Sequence, residues 1–197
     1  MRKLTLYICL VILIIFGVMA YNYANNVAST SGDASVKPTP APWQPARLNI
    51  PAIHIDAPVM NVGATASGAM DAPTSKAIHS TYWTSVFWYD LGAAPGRAGN
   101  AVIAGHVDRV GGDPAIFWSL SSLAPGDKVS VFTIEGKQLQ FVVNRVVTYA
   151  ATAPGQDIIT AVFGPSKGHH LNLITCSGVW TGNGYDQRLV VFTTQIS

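Results

Sequence analysis

Three side chains stand out in this sequence for the chemistry they could do together. They are Cys176 in Leu171-Asn172-Leu173-Ile174-Thr175-Cys176-Ser177-Gly178, His106 in Ala104-Gly105-His106-Val107-Asp108, and Arg188 in Asp186-Gln187-Arg188-Leu189-Val190-Val191. A thiolate can attack a carbonyl carbon, an imidazole can carry the proton, and a guanidinium can hold the oxygen on which charge develops. The thiol itself is a poor nucleophile until positive charge or a histidine nearby favours its ionised form. Each residue also has an inert reading. A free cysteine is commonly a small core residue, and an arginine at a strand end can lay its stem along the core edge and reach water.

The elements that must position the trio are short strands. Leu171 to Cys176 alternates, with Leu171, Leu173 and Thr175 on one face and Asn172, Ile174 and Cys176 on the other, and Gly178 reads as the turn beyond its end. Arg188 to Gln195 places Arg188 with Val190 and Phe192, opposite Leu189 and Val191. Ala101 to Ala104 reads as a short buried strand that delivers His106 at its C-terminal end. If the three strands are neighbours, the three side chains converge at one rim. The stretch between them, Ser177 to Gln187, is glycine-rich and reads as a loop.

The remaining chain supports a mainly β domain. Arg47 to Val62 alternates but carries Pro51 and Pro58, which predicts a bent edge strand. Ser67 to Ser80 is a loop, and the aromatic run Thr81 to Leu91 fits either a strand or a core loop. Asp113-Pro114 predicts a helix start, with Ile116, Phe117, Leu120 and Leu123 along it and Pro125-Gly126 ending it. Val129 to Ile134 and Leu139 to Tyr149 form a hairpin across Glu135-Gly136-Lys137. Asp157 to Phe163 predicts a second short helix, capped by Asp157 and stopped at Gly164. Several short strands and two small helices argue for a mostly antiparallel barrel or sandwich. Asp108 could orient the imidazole of His106, but a surface aspartate in a turn is the favoured reading. His54 and His79 belong to no chemical pattern. His169 and His170 point to opposite faces of a strand, with no Cys, Asp or Glu nearby to complete a metal site.

Hydrophobic residues make up 49% of the 197 residues and charged residues 11%. Part of that balance lies at the N-terminus, where Arg2 and Lys3 precede an uncharged apolar run from Leu4 to Ala20. As a helix the run would be about 25 Å long at 1.5 Å per residue, close to the thickness of a hydrocarbon core. The positive-inside rule then keeps the N-terminus in the cytoplasm and exports the rest. A cleaved signal peptide is the competing reading, with Ala20 and Ala24 as small residues nearby, but the run is longer than a usual signal core. The chain divides into a stub and transmembrane anchor (1–24), a Pro/Ala/Ser/Thr-rich spacer (25–46) and a domain (47–197). Cys9 lies inside the apolar run, so Cys176 is the one cysteine of the exported part and has no intrachain disulfide partner. Of twelve Lys/Arg, Arg2, Lys3 and Lys37 precede the domain, as does Asp33 of ten Asp/Glu. Nine of each remain, a neutral balance that offers no basic footprint for nucleic acid.

The runs Arg47-Leu48-Asn49-Ile50-Pro51-Ala52-Ile53-His54-Ile55-Asp56-Ala57-Pro58-Val59, Gly99 to Asp108, Leu171 to Cys176 and Arg188 to Val191 together resemble the sortases. The likeness is greatest to the class F sortases of actinobacteria, Gram-positive bacteria, and covers essentially all of residues 47–197. The resemblance implies an eight-stranded sortase-type β-barrel with one or two short helices, behind the single N-terminal transmembrane helix. It implies a membrane-anchored cysteine transpeptidase facing the extracellular side, acting on an LPXTG-like C-terminal sorting signal. Cys176 would be the nucleophile forming a thioester with the threonine carbonyl, His106 the general acid/base, and Arg188 the residue holding substrate and oxyanion. The implied partners are sorting-signal-bearing surface proteins, an amine acceptor of a peptidoglycan precursor or a pilin, and the lipid bilayer through the N-terminal helix. The chemistry calls for no metal and no organic cofactor. Two other readings remain at this point. One is an exported β-barrel that binds peptide or cell-wall polymer without turning it over. The other is a different cysteine enzyme, although the Ser-His-Gly-Cys-type run of L,D-transpeptidases is missing.

Overall fold

The computed structural model describes residues 41–151 and 156–197, which fall in a compact unit spanning Pro40–Ser197. The expected membrane span and most of the spacer lie outside the described residues. Among the described residues no helix is long and apolar enough to cross a membrane.

Eight strands are present among the described residues: β1 (Pro45–Ile50), β2 (Ile55–Val62), β3 (Val86–Tyr89), β4 (Gly99–Ala104), β5 (Lys128–Thr133), β6 (Gln138–Ala150), β7 (His169–Trp180) and β8 (Tyr185–Gln195). They close into a barrel in the order β1-β2-β3-β4-β7-β8-β6-β5. The neighbours are antiparallel except for β2–β3 and β4–β7, which are parallel. The barrel is thus the correct member of the barrel-or-sandwich pair, and closure leaves no strand edge open to another chain.

The alternation of each strand sorts its side chains into two clusters. Ile103, Leu171, Leu173, Leu189 and Val191 point inward to the main core, which Phe117 and Leu120 help to fill. Val102, Val190 and Phe192 point outward and pack against Val162 of the one α-helix among the described residues, α1 (Gln156–Phe163). Two buried amides fasten that helix to the barrel. Asn172 Nδ2 donates to Val162 O at 2.8 Å, and Asn100 Nδ2 donates to Ala161 O at 3.3 Å and Gly164 O at 2.9 Å. They satisfy carbonyls that a helix end leaves without intrahelical partners.

Three expectations are corrected. Arg47 to Val62 is not an edge strand. It is a tight β1–β2 hairpin turning at Pro51–Ile53, with His54 exposed in the left-handed region at φ 56°. Pro58 is tolerated because pairing with β1 ends at that residue and pairing with β3 starts at Val59, so its missing N–H costs no ladder bond. Asp113-Pro114 starts no α-helix. Pro114 bridges back to Asp108, Ala115 N donates to Val107 O at 3.0 Å, and Phe117 N donates to His106 O at 2.9 Å. Only a single 3-10 turn follows, Leu120–Ser122. Finally, Ser177 to Gln187 is mostly strand. β7 runs on past Cys176 to Trp180, which pairs with Tyr185, so the chain turns only at its tip.

Candidate active site

The β7–β8 ladder sets Cys176 directly opposite Arg188. Period two carries both outward, beside Ile174 and Val190 of the outer cluster, with Thr175 and Leu189 buried on the other face. Directly opposed side chains on one face of a sheet start from Cβ atoms roughly 4.5–5.5 Å apart, which brings thiol and guanidinium within reach of each other. Arg188 is held from its own strand: Nη1 donates to Tyr185 O at 2.9 Å and to Gln187 O at 2.8 Å.

His106 arrives from β4. The parallel register pairs Ala104 with Ile174, so two further residues on each strand make His106 level with Cys176. Two bonds hold that level: Gly105 N donates to Ile174 O at 3.0 Å, and Thr175 Oγ1 donates to Gly105 O at 2.8 Å. Residue 105 must be glycine, because a Cβ there would lie 2.5 Å from Cδ2 of the fully buried Phe117. The imidazole packs against Trp83, with centroids 5.0 Å apart, and meets Phe87 edge-on at 5.5 Å. Its Nε2 lies 2.9 Å from Pro73 O, on the long connection between β2 and β3. A carbonyl only accepts, so Nε2 carries the proton and Nδ1 is the atom free to exchange one.

Gly178 follows Cys176 at φ 85°, in the irregular stretch between Ser177 and Trp180. A Cβ at residue 178 would stand 2.1 Å from Asp186 Oδ1, the oxygen that accepts the Val179 N–H at 2.7 Å. Glycine therefore lets the ladder bulge just past the thiol.

Cys176 is half-buried, and burial pushes its thiol above the ordinary value of 9.0. The charge of Arg188 opposes that shift and the charge of Asp108 adds to it. Asp108 gives its carboxylate to the Tyr185 hydroxyl, not to the imidazole. That bond, together with burial and the charges of Asp108 and Cys176, pushes the Tyr185 hydroxyl up to about 12.

The structure thus sets Cys176 against Arg188 and brings His106 level with them. His169 and His170 lie elsewhere, on Gly96 O at 3.1 Å and Thr193 O at 3.3 Å respectively, and His79 is exposed. Four residues at the site were missed: Trp83, Phe87, Pro73 and Tyr185. The aromatic run signalled the first two, whereas a main-chain carbonyl leaves no trace in side-chain type.

The sortase-domain family model matches residues 48–196, and the chain belongs to the sortase family. No curated protein sequence matches it significantly. Solved structures similar to it include sortase A from Corynebacterium diphtheriae, with 18% identity and a TM-score of 0.57, covering 78% of this chain and 61% of that one. Sortase C-1 from Actinomyces oris has 20% identity and a TM-score of 0.56, covering 77% and 71%. The pilus-related sortase C of Group B Streptococcus has 14% identity and a TM-score of 0.58, covering 80% and 70%. At these identities the likeness is one of fold.

Proposed function

We propose that this sortase is a cysteine transpeptidase in which Cys176, His106 and Arg188 act together. The observation that carries the reading is the cross-strand pair Cys176–Arg188 with His106 level beside it. The Cys176 thiol gives its proton to His106, and the thiolate so formed attacks the threonine carbonyl of an LPXTG-like sorting signal, moving an electron pair onto the carbonyl oxygen. Arg188 donates to that oxygen, with its fork geometry and charge both engaged. Collapse expels the amine of the following glycine, which takes its proton from His106, and leaves a thioester. An acceptor amine, deprotonated by His106, then attacks the thioester and returns Cys176 to its starting state.

The motif likeness supports a class F, actinobacterial sortase. The charge asymmetry around the apolar run from Leu4 to Ala20 supports a single-pass anchor with the domain on the extracellular face. The substrates are then surface proteins that carry the signal, and the acceptor is an amine of a peptidoglycan precursor or a pilin.

The test incubates the full chain in detergent with a library of sorting-signal peptides and candidate amines, followed by mass spectrometry. A thioester on Cys176 and an amine-ligated product are expected, both lost in Cys176→Ala. Peptide binding with no adduct on the wild-type chain would instead support a non-catalytic barrel. For the anchor, the domain is expected to pellet with membranes and to be cut by protease added to intact cells. A secreted form starting near Ala20 or Ala24 would overturn it.

A further inference from the structure

Asp108 lies on the histidine's own loop, two residues past His106, and its carboxylate accepts the hydroxyl proton of Tyr185. That loop is held in place by its return onto Pro114 and by Arg109 N donating to Asp113 O at 2.8 Å. Tyr185 is the first residue of β8, paired with Trp180 across the hairpin, and its ring meets Trp180 edge-on at 5.5 Å. Its carbonyl accepts from Arg188 Nη1. One residue therefore touches the histidine loop with its side chain and the arginine with its main chain.

We propose that Tyr185 is a positioning residue that, through Asp108, locks the β7–β8 hairpin onto the histidine loop and so fixes Arg188 and His106 around Cys176. The proposal rests on the acyl-transfer reading above. Without the hydroxyl, the hydrogen bonds that relate the two loops among the described residues are the ladder below Cys176 and the bonds at Gly105, and the bulge at Gly178 is a ready hinge for the hairpin.

Charge alone does not account for Asp108 in this place. The charges acting on Cys176 are those of Arg188 from β8 and Asp108 from the histidine loop, while Tyr185 of β8 feels the charge of Cys176 and His106 stands at the end of β4. Among them the carboxylate works against the thiolate, since a negative charge beside a thiol disfavours its ionisation. A residue unfavourable to the nucleophile is useful here as an anchor, and the tyrosine hydroxyl is what it anchors.

The two contributions separate by substitution in the full chain. Tyr185→Phe removes the bond and keeps the charge, Asp108→Asn keeps an acceptor oxygen and removes the charge, and Asp108→Ala removes both. Tyr185→Phe and Asp108→Ala are each expected to lower kcat at least about tenfold with KM within about twofold, and the double variant to fall no further than the worse single. Asp108→Asn is expected to keep more activity than Asp108→Ala and to move the pH midpoint of Cys176 alkylation downward. Tyrosinate absorbance, taken as the difference from Tyr185→Phe, is expected near pH 12 in the wild type and nearer 10 in Asp108→Ala. Wild-type turnover in Tyr185→Phe, or losses that multiply in the double variant, would overturn the proposal. Absence of any wild-type thioester sinks the acyl-transfer reading and the proposal with it. The tyrosinate shift would then report the bond alone.

Discussion

Cys176 and Arg188 face each other across the β7–β8 ladder, on the outer side of a barrel whose inner side Thr175 and Leu189 help to fill. The charge of the arginine pulls the thiol toward ionisation while burial pushes it the other way, and burial is the larger influence. Burial therefore favours the protonated thiol over the thiolate, and Arg188 favours the reverse.

Arg188→Lys keeps the charge and loses the planar fork, and Arg188→Ala loses both. Both are expected to reduce kcat/KM at least about tenfold, equivalent to roughly 1.4 kcal/mol of transition-state stabilisation. Steady-state ligation kinetics measures this. Equal activity of Arg188→Lys and the wild type would show that charge alone matters, and equal activity of Arg188→Ala would make the residue structural.

The raised thiol of Cys176 has two consequences with pH. Alkylation by a thiol-directed reagent should be slow at neutral pH and climb beyond pH 9, with the midpoint displaced further upward in Arg188→Ala, because the charge that lowers it is gone. For stability, the folded state holds the proton more tightly than the unfolded state. The contribution is thus complete below the unfolded value and is lost as pH rises through the folded one. Denaturant titrations of wild type and Cys176→Ala should therefore diverge above about pH 9, where the wild type loses stability relative to the variant. Parallel curves would contradict the shift.

His106→Ala should abolish ligation, yet Cys176 should remain open to alkylation, since part of the thiol still ionises at alkaline pH. Nitrogen-15 spectra of the histidines add a second check. In the neutral ring of His106 the proton should reside on Nε2, donated to Pro73 O. A proton on Nδ1 would mean that the exchanging atom is the other one.

The period-two patterns were enough to put Cys176 on the face of Ile174 and Arg188 on the face of Val190 and Phe192, opposite Leu171, Leu173, Leu189 and Val191, but not to say which face was the outer one. Those patterns are local. That β4 lies against β7 is a long-range pairing, and only the likeness to a family indicated it. The segment after His106 misled for a different reason. Asp113-Pro114 has the chemistry of a helix start, but His106 and Val107 offer carbonyls to this segment, and Phe117 is drawn into the core. Tertiary contacts override a capping signal in such a case. Tyr185 was hidden because Gly182 and Gly184 beside it suggested a loop, although both lie at positive φ around the tip of a regular hairpin.

Gly105 joins the fold to the chemistry, so its replacement tests both. An alanine Cβ would press on Phe117 at 2.5 Å, and Phe117 is fully buried, so either the ring or the backbone before His106 must move. Overpacking of this kind costs about 1–3 kcal/mol. In a domain of this size that corresponds to a Tm lower by roughly 2–4 °C per kcal/mol. If the backbone yields, Gly105 N and O lose their bonds to Ile174 and Thr175, and His106 drops out of level with Cys176. Gly105→Ala is therefore expected to lower both Tm and kcat. Adding Phe117→Leu makes room for the methyl group and should recover kcat relative to Gly105→Ala alone, even though the smaller side chain leaves some of the stability unrecovered. A double variant as inactive as the single one would show that the steric conflict with Phe117 is not what holds the histidine in register.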